Sequence, residues 1–365
     1  MTFAFRHRND LDTMPASNAG SPQPLIRDRF QLSNNESPFD PLPSVRKAIA
    51  DDCLPFIGRY PDFRGWDVIS RLSERFGVGM DSIILGCGSS EVLRMAICSL
   101  AGPGDEVIIP WRSFEAYPAL IAASGATCVK VPLTADLRHD VDAMAAAVND
   151  RTRLIIINNP NNPTGTTVSA DEAERLMQSV PGDVMVLFDE AYVQFNNDPG
   201  AADGMALLRK YPNVIVAQTF SKAYGLAGLR VGYGIARPEV IGELGKTALA
   251  FAVTDVAQRA AVASMDAQDE LDERVERVIA ERNRVTVALR GQGWDVPDSG
   301  SNYLWLGLGD HTDCVAAVFR DAGIEVHVFP GSGIRISMGL PEVNDAVIAA
   351  CATAKQLYDA ECAAA

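Results

Sequence analysis

Short apolar runs punctuate the middle of the chain: IIL at 83–85, EVIIP at 106–110, LIIIN at 154–158, VMVLF at 184–188 and VIVAQ at 214–218. They are brief, rich in β-branched residues and apolar throughout rather than alternating. Such runs fit strands buried on both faces, and the helix-like stretches between them predict a mainly parallel sheet flanked by helices, an α/β fold. Further on, DELDERVERVIAERNRVTVALR (269–290) places apolar residues at 271, 275, 278, 285 and 289 and is followed by Gly291. That spacing predicts a long amphipathic helix whose Arg and Glu residues form a solvated face, leading into a second, smaller domain. Residues 1–30 are polar and punctuated by Pro, Ser and Gly, an irregular arm.

The polar residues that follow the apolar runs carry the chemistry. LIIIN leads into NPNNPTG (159–165), VMVLF into DEAY (189–192), VIVAQ into TFSK (219–222) and EVIIP into WRSFEAY (111–117). Ligands of open α/β sheets bind at the carboxyl ends of strands, so Phe114, Asn162, Asp189, Tyr192 and Lys222 are expected to converge on one cleft. A second signal is GCGSSEVLRMAICSL (86–100), where apolar residues at 93, 96, 97 and 100 start a helix near Ser89 or Ser90 directly after a glycine loop. Free N–H groups and serine hydroxyls at a helix start suit a phosphate, and a merely capped helix reads the same way on its own. GCGSSE matches neither common nucleotide glycine pattern, so a nicotinamide-dependent dehydrogenase is disfavoured.

Composition narrows the partners. The 365 residues are long enough for two domains or one large one, and 47% hydrophobic with 22% charged residues is ordinary globular usage. A formal charge of −15 repels phosphate backbones and anionic membrane surfaces, so no nucleic acid and no membrane are expected as partners. Seven scattered cysteines without a C-x-x-C pair suit a cytoplasmic protein with reduced thiols. Four histidines, none paired at helical spacing, give no metal site.

An amine, a phosphate cradle, a carboxylate, a phenol, an amide and an aromatic plate are together what pyridoxal 5′-phosphate asks for. At these motifs the chain resembles the fold-type I aminotransferases that use this cofactor, specifically the histidinol-phosphate aminotransferase branch. NPNNPTG, DEAY and TFSKAYGLAGLRVGY match in order, type and spacing, and the similarity runs from LSNNESP (32–38) to GIRISMG (333–339). The resemblance implies an N-terminal arm with part of a small domain over 1–44, a large cofactor-binding domain over 45–258 and a small C-terminal domain over 259–365.

Carried over by position, it implies that Lys222 joins the cofactor aldehyde, Asp189 pairs with the pyridinium, and Tyr192 and Asn162 hydrogen-bond the phenolic oxygen. Phe114 would stack on the ring, while Ser89, Ser90, Thr219, Ser221 and Arg230 would hold the phosphate. Tyr60 in GRYPD looks like a tyrosine that crosses to a second subunit, implying a homodimer. Arg335 would clamp a substrate carboxylate, with Asn302 nearby on the substrate side. The implied partners are an amino acid donor and a 2-oxo acid acceptor.

The chain departs from the histidinol-phosphate enzymes where those place an arginine and a tyrosine for the substrate phosphate; it has His327 and, by alignment of MPASNAG, Ser17. The expectation is therefore an aromatic amino acid:2-oxoglutarate aminotransferase, with histidinol-phosphate transamination as the alternative. A pyridoxal-phosphate decarboxylase and a non-catalytic sensor on the same scaffold are the rivals; such sensors usually carry an added DNA-binding domain, for which the arm is too short and the chain too acidic, so none is expected.

Overall fold

A computed structural model describes residues 30–364; Ser17 and the rest of the arm before residue 30 lie outside the described residues. The chain first forms β1 (Gln31–Leu32), α1 (Pro43–Ala48) and α2 (Trp66–Phe76). It then alternates β2 (Ile83–Gly86), α3 (Ser89–Leu100), β3 (Glu106–Trp111), α4 (Ala116–Ser124), β4 (Thr127–Pro132), α5 (Val141–Ala146) and β5 (Thr152–Asn158). After these come α6 (Ala170–Ser179), β6 (Met185–Asp189), α7 (Gly204–Lys210), β7 (Val214–Thr219), β8 (Gly232–Ile235) and α8 (Pro238–Gly245). The last part comprises α9 (Asp255–Asp266), α10 (Gln268–Gly291), β9 (Tyr303–Gly307), α11 (Thr312–Asp321), β10 (Glu325–Phe329), β11 (Gly333–Ser337) and α12 (Pro341–Ala364).

All five apolar runs lie in one seven-stranded sheet of order β2-β8-β7-β6-β5-β3-β4, parallel except for β8. Side chains alternate along a strand, so Ile155 and Ile157 enter one core while Leu154 and Ile156 enter another on the opposite face. Both faces are buried, which is why the strands are apolar at every position. The strand order doubles back between β3 and β5: β4 lies outside β3, while β6 and β7 continue beyond β5. The connections leaving these two strands part there, and the gap between them is where a ligand fits.

A second sheet of order β1-β10-β11-β9 holds the segment near residue 31 beside the C-terminal strands, with β1 parallel to β10 and the other pairs antiparallel. The expected boundary at residue 258 falls inside α9, which packs against α1 and α2. The stripe read in α10 is buried at Leu271, Val275, Val278, Val285 and Leu289. Arg282 departs from the expected solvated face: it is buried, and its Nη1 donates to the carbonyls of Phe195 at 2.9 Å and Ser301 at 3.0 Å. Burial pulls its pKa down to about 10. Its task is to tie α10 to the loops after β6 and before β9.

Candidate active site

Asp189 ends β6 and is buried. Its Oδ2 accepts a hydrogen bond from the Tyr117 hydroxyl at 2.7 Å, whereas Oδ1 is buried without a partner among the described residues. Burial pushes the carboxyl up to about 6, against the opposing hydrogen bonds from Tyr117 and the Ala191 backbone. A buried oxygen with no donor is costly unless a ligand supplies one.

β7 runs into Lys222, whose Nζ donates to the Asn34 carbonyl at 2.8 Å. Burial, then the charge of Arg335, pulls the ammonium down to about 8. The Tyr192 ring lies 5.9 Å from that nitrogen, and its hydroxyl accepts from Asn35 Nδ2 at 2.9 Å. Asn162 is fixed through its backbone N–H to Asn158 Oδ1 at 2.7 Å, and its own Oδ1 accepts from Arg335 Nη1 at 2.5 Å.

The cleft also brings Arg230 to the N-terminus of α3. Gly88 at φ 76° turns the chain into α3, and a Cβ there would collide with the Arg230 guanidinium. A Cβ at Gly232 would meet the backbone nitrogen of Ser89. These two glycines let Arg230 and the α3 N-terminus approach each other. Arg230 adopts the left-handed region at φ 55°, a conformation costing a non-glycine residue about 1–2 kcal/mol. Its Nη1 is steadied by the Ala227 carbonyl at 3.0 Å and Ser221 Oγ at 3.3 Å, and Thr219 Oγ1 donates to the same Ser221 oxygen at 2.9 Å.

All these residues predicted from the sequence, together with Ser89, Ser90 and Phe114, line one cleft. Four predicted residues do not line it. Arg335 reaches it through Asn162, and its Nη2 donates to the Ser33 carbonyl. Asn302 is buried and donates to the Asn35 carbonyl at 3.1 Å, so it supports the residue that holds Tyr192. His327 lies beyond Arg335 and pairs with Glu115 at 2.8 Å. Tyr60 is 81% exposed, stacked on Phe251 with ring centroids 4.6 Å apart.

Sequence reasoning missed Tyr117, Asn158 and the Asn34–Glu36 segment. Tyr117 was within reach: it stands one helical turn after Phe114, whose ring it meets edge-on at 5.4 Å.

The sequence model of the family described as "Aminotransferase class I and II" matches residues 27–351. The chain belongs to that family. It is 50% identical over 324 residues to the aromatic amino acid aminotransferase of Cutibacterium acnes, covering 89% of this chain and 92% of that protein. It is 49% identical over 339 residues to the protein of the same name from Streptomyces avermitilis, covering 93% and 94%. Among solved structures, histidinol-phosphate aminotransferase from Sinorhizobium meliloti in complex with pyridoxal 5′-phosphate superposes with a TM-score of 0.82 at 28% identity, covering 89% of this chain and 90% of that one.

Aminotransferases of this family depend on pyridoxal 5′-phosphate, and the residues present fit it. Asp189 Oδ1 is a buried acceptor without a donor, Lys222 presents an amine to the cleft, and Arg230, Ser89 and Ser90 line the same cleft, where the absent Cβ of Gly88 lets Arg230 approach. No described helix is long and apolar enough to cross a membrane, and no described cluster of side chains could hold a metal ion.

Proposed function

We propose that the protein transfers the amino group of an aromatic amino acid to 2-oxoglutarate, using pyridoxal 5′-phosphate. The observation that carries this reading is the pairing of a lysine amine and an orphaned carboxylate oxygen within one cleft. The bound cofactor supplies an electrophilic carbon and a ring that takes up the electron pair left at the substrate Cα. Asp189 would hold the proton on the ring nitrogen, with its carboxylate fixed by the Tyr117 hydroxyl. Tyr192 and Asn162 would hydrogen-bond the phenolic oxygen, and Phe114 would lie against the ring. Ser89, Ser90, Thr219, Ser221 and Arg230 would hold the phosphate, an anion at a helix N-terminus.

The Lys222 amine would be the base that takes the proton from the substrate Cα; lowered to about 8, it has a substantial neutral fraction for this work. Arg335, planar and forked, holds the substrate α-carboxylate. Asn302 supports the substrate side through Asn35.

Tyr60 completes the phosphate site of a second copy, so the working unit is a homodimer. Phe56, Ile57, Phe63 and Leu249, exposed together with Tyr60, give that dimer an apolar surface to bury. We assign residues 45–258 to the large domain, and 1–44 with 259–365 to the small one, a division that suits the joining of β1 to the C-terminal sheet. We place the protein in the cytoplasm, in keeping with its reduced cysteines.

Histidinol-phosphate transamination is the second reading, favoured by the structural likeness to the Sinorhizobium enzyme. The names of the more similar relatives and the engagement of His327 by Glu115 favour an aromatic donor. Comparing kcat/KM for phenylalanine and histidinol phosphate decides between them. Phenylalanine is expected to be the better donor; a preference of more than about tenfold, 1.4 kcal/mol, for histidinol phosphate would reverse the assignment.

A further inference from the structure

Beyond the cleft, on the side of Arg335, two guanidinium groups and an imidazole surround one ring. Phe329 has the Arg112 guanidinium 5.8 Å from its centroid, the Arg335 guanidinium also at 5.8 Å, and the His327 ring at 4.6 Å. Arg112 comes from the segment between β3 and α4, the others from β10 and β11, so the group bridges the two sheets. Arg335 and His327 have partners, but the half-buried Arg112 guanidinium has no hydrogen bond or ion pair among the described residues; it rests against the rings of Trp111 and Phe329.

The one carboxylate among these groups is Glu115, one residue past Phe114. Its Oε2 meets His327 Nε2 at 2.8 Å, and it stays half exposed. The His327 hydrogen bond holds it below the usual carboxylate range, and the charges of His327, Arg335 and Arg112 add to that effect. A carboxylate is therefore stabilised here by the protein itself, on a half-exposed side chain.

We propose that Arg112 binds the distal carboxylate of the dicarboxylic acceptor, with Glu115 as the internal carboxylate that faces these guanidinium groups when an aromatic donor is bound. The inference rests on the transamination proposed above and extends it to how one cleft takes both an apolar ring and a second anionic group. Distances permit it. The two guanidinium carbons are at most twice 5.8 Å apart. A five-carbon dicarboxylate spans roughly 5 Å between its carboxyl carbons, and each guanidinium–carboxylate pair adds about 4 Å; in line these exceed that limit by about 1 Å, so the acceptor binds bent. Arg335 thus takes the α-carboxylate and Arg112 the far one, while Phe329 and Trp111 remain as an apolar wall for an aromatic side chain.

Glutarate has both carboxylates and no carbonyl, butyrate only one; each is titrated into the holoenzyme by calorimetry. Arg112→Gln is expected to weaken glutarate by about tenfold or more, leave butyrate affected far less, and raise KM for 2-oxoglutarate by much more than KM for phenylpyruvate. Arg112→Lys, which keeps the charge, should recover part of the loss, and Glu115→Gln should tighten glutarate by removing its competitor. Equal effects of Arg112→Gln on glutarate and butyrate, or none on either, would overturn the proposal. If phenylalanine proves not to be a donor, the donor assignment fails, while the glutarate–butyrate comparison still judges Arg112.

Discussion

Asp189 holds a charge where burial opposes it. Its folded pKa of about 6 exceeds the ordinary 3.8, so the folded state binds the proton more tightly than the unfolded chain. Between these values the native state holds more protons, and stability must fall as pH rises through that window. In the cofactor-free protein, urea unfolding over this range should show a fall that is smaller in Asp189→Asn. Tyr117→Phe removes a hydrogen bond that opposes the shift, so the Asp189 window should extend upward and stability drop by about 1–3 kcal/mol. An Asp189→Asn profile parallel to wild type would contradict this. Lys222, Asp189 and Arg230 were legible because each is a polar residue standing where an apolar strand ends or a small-residue turn begins. Tyr117 was passed over because a tyrosine inside the apolar helix α4 reads as core, although its spacing from Phe114 was a signal. Asn35 was hidden by distance: its partner Ser337 lies 302 residues away.

At the level of elements, periodicity revealed the strands buried on both faces and the stripe of α10. It missed β4, an edge strand whose burial is irregular, and β8, whose GYGI sequence is half glycine. Gly232 and Gly234 are there for packing, since a Cβ at either would enter α3 at Ser89 or Val92. Arg282 shows the limit of reading charge as surface. Its carbonyl partners lie 87 and 19 residues away, and only the folded chain brings them together. The glycine loop before α3 was readable, as was Arg230, but not its left-handed backbone.

At the level of the whole molecule, a charge of −15 discourages polyanions while Arg112, Arg230 and Arg335 gather local positive charge for small anions. Tyr60 and its exposed apolar neighbours support the proposed second copy. Tyr60→Phe and Lys222→Ala chains, co-expressed, should form hybrids with one intact site and more activity than either parent; a fully active monomer by light scattering would contradict the shared site. The central claim, that Lys222 moves the amino group of an aromatic amino acid, is tested most directly by one turnover without acceptor. Holoenzyme mixed with phenylalanine is expected to release one phenylpyruvate per Lys222 site, and Lys222→Ala none. No phenylpyruvate from the wild type, release of carbon dioxide in its place, or an equal yield from Lys222→Ala would contradict the account.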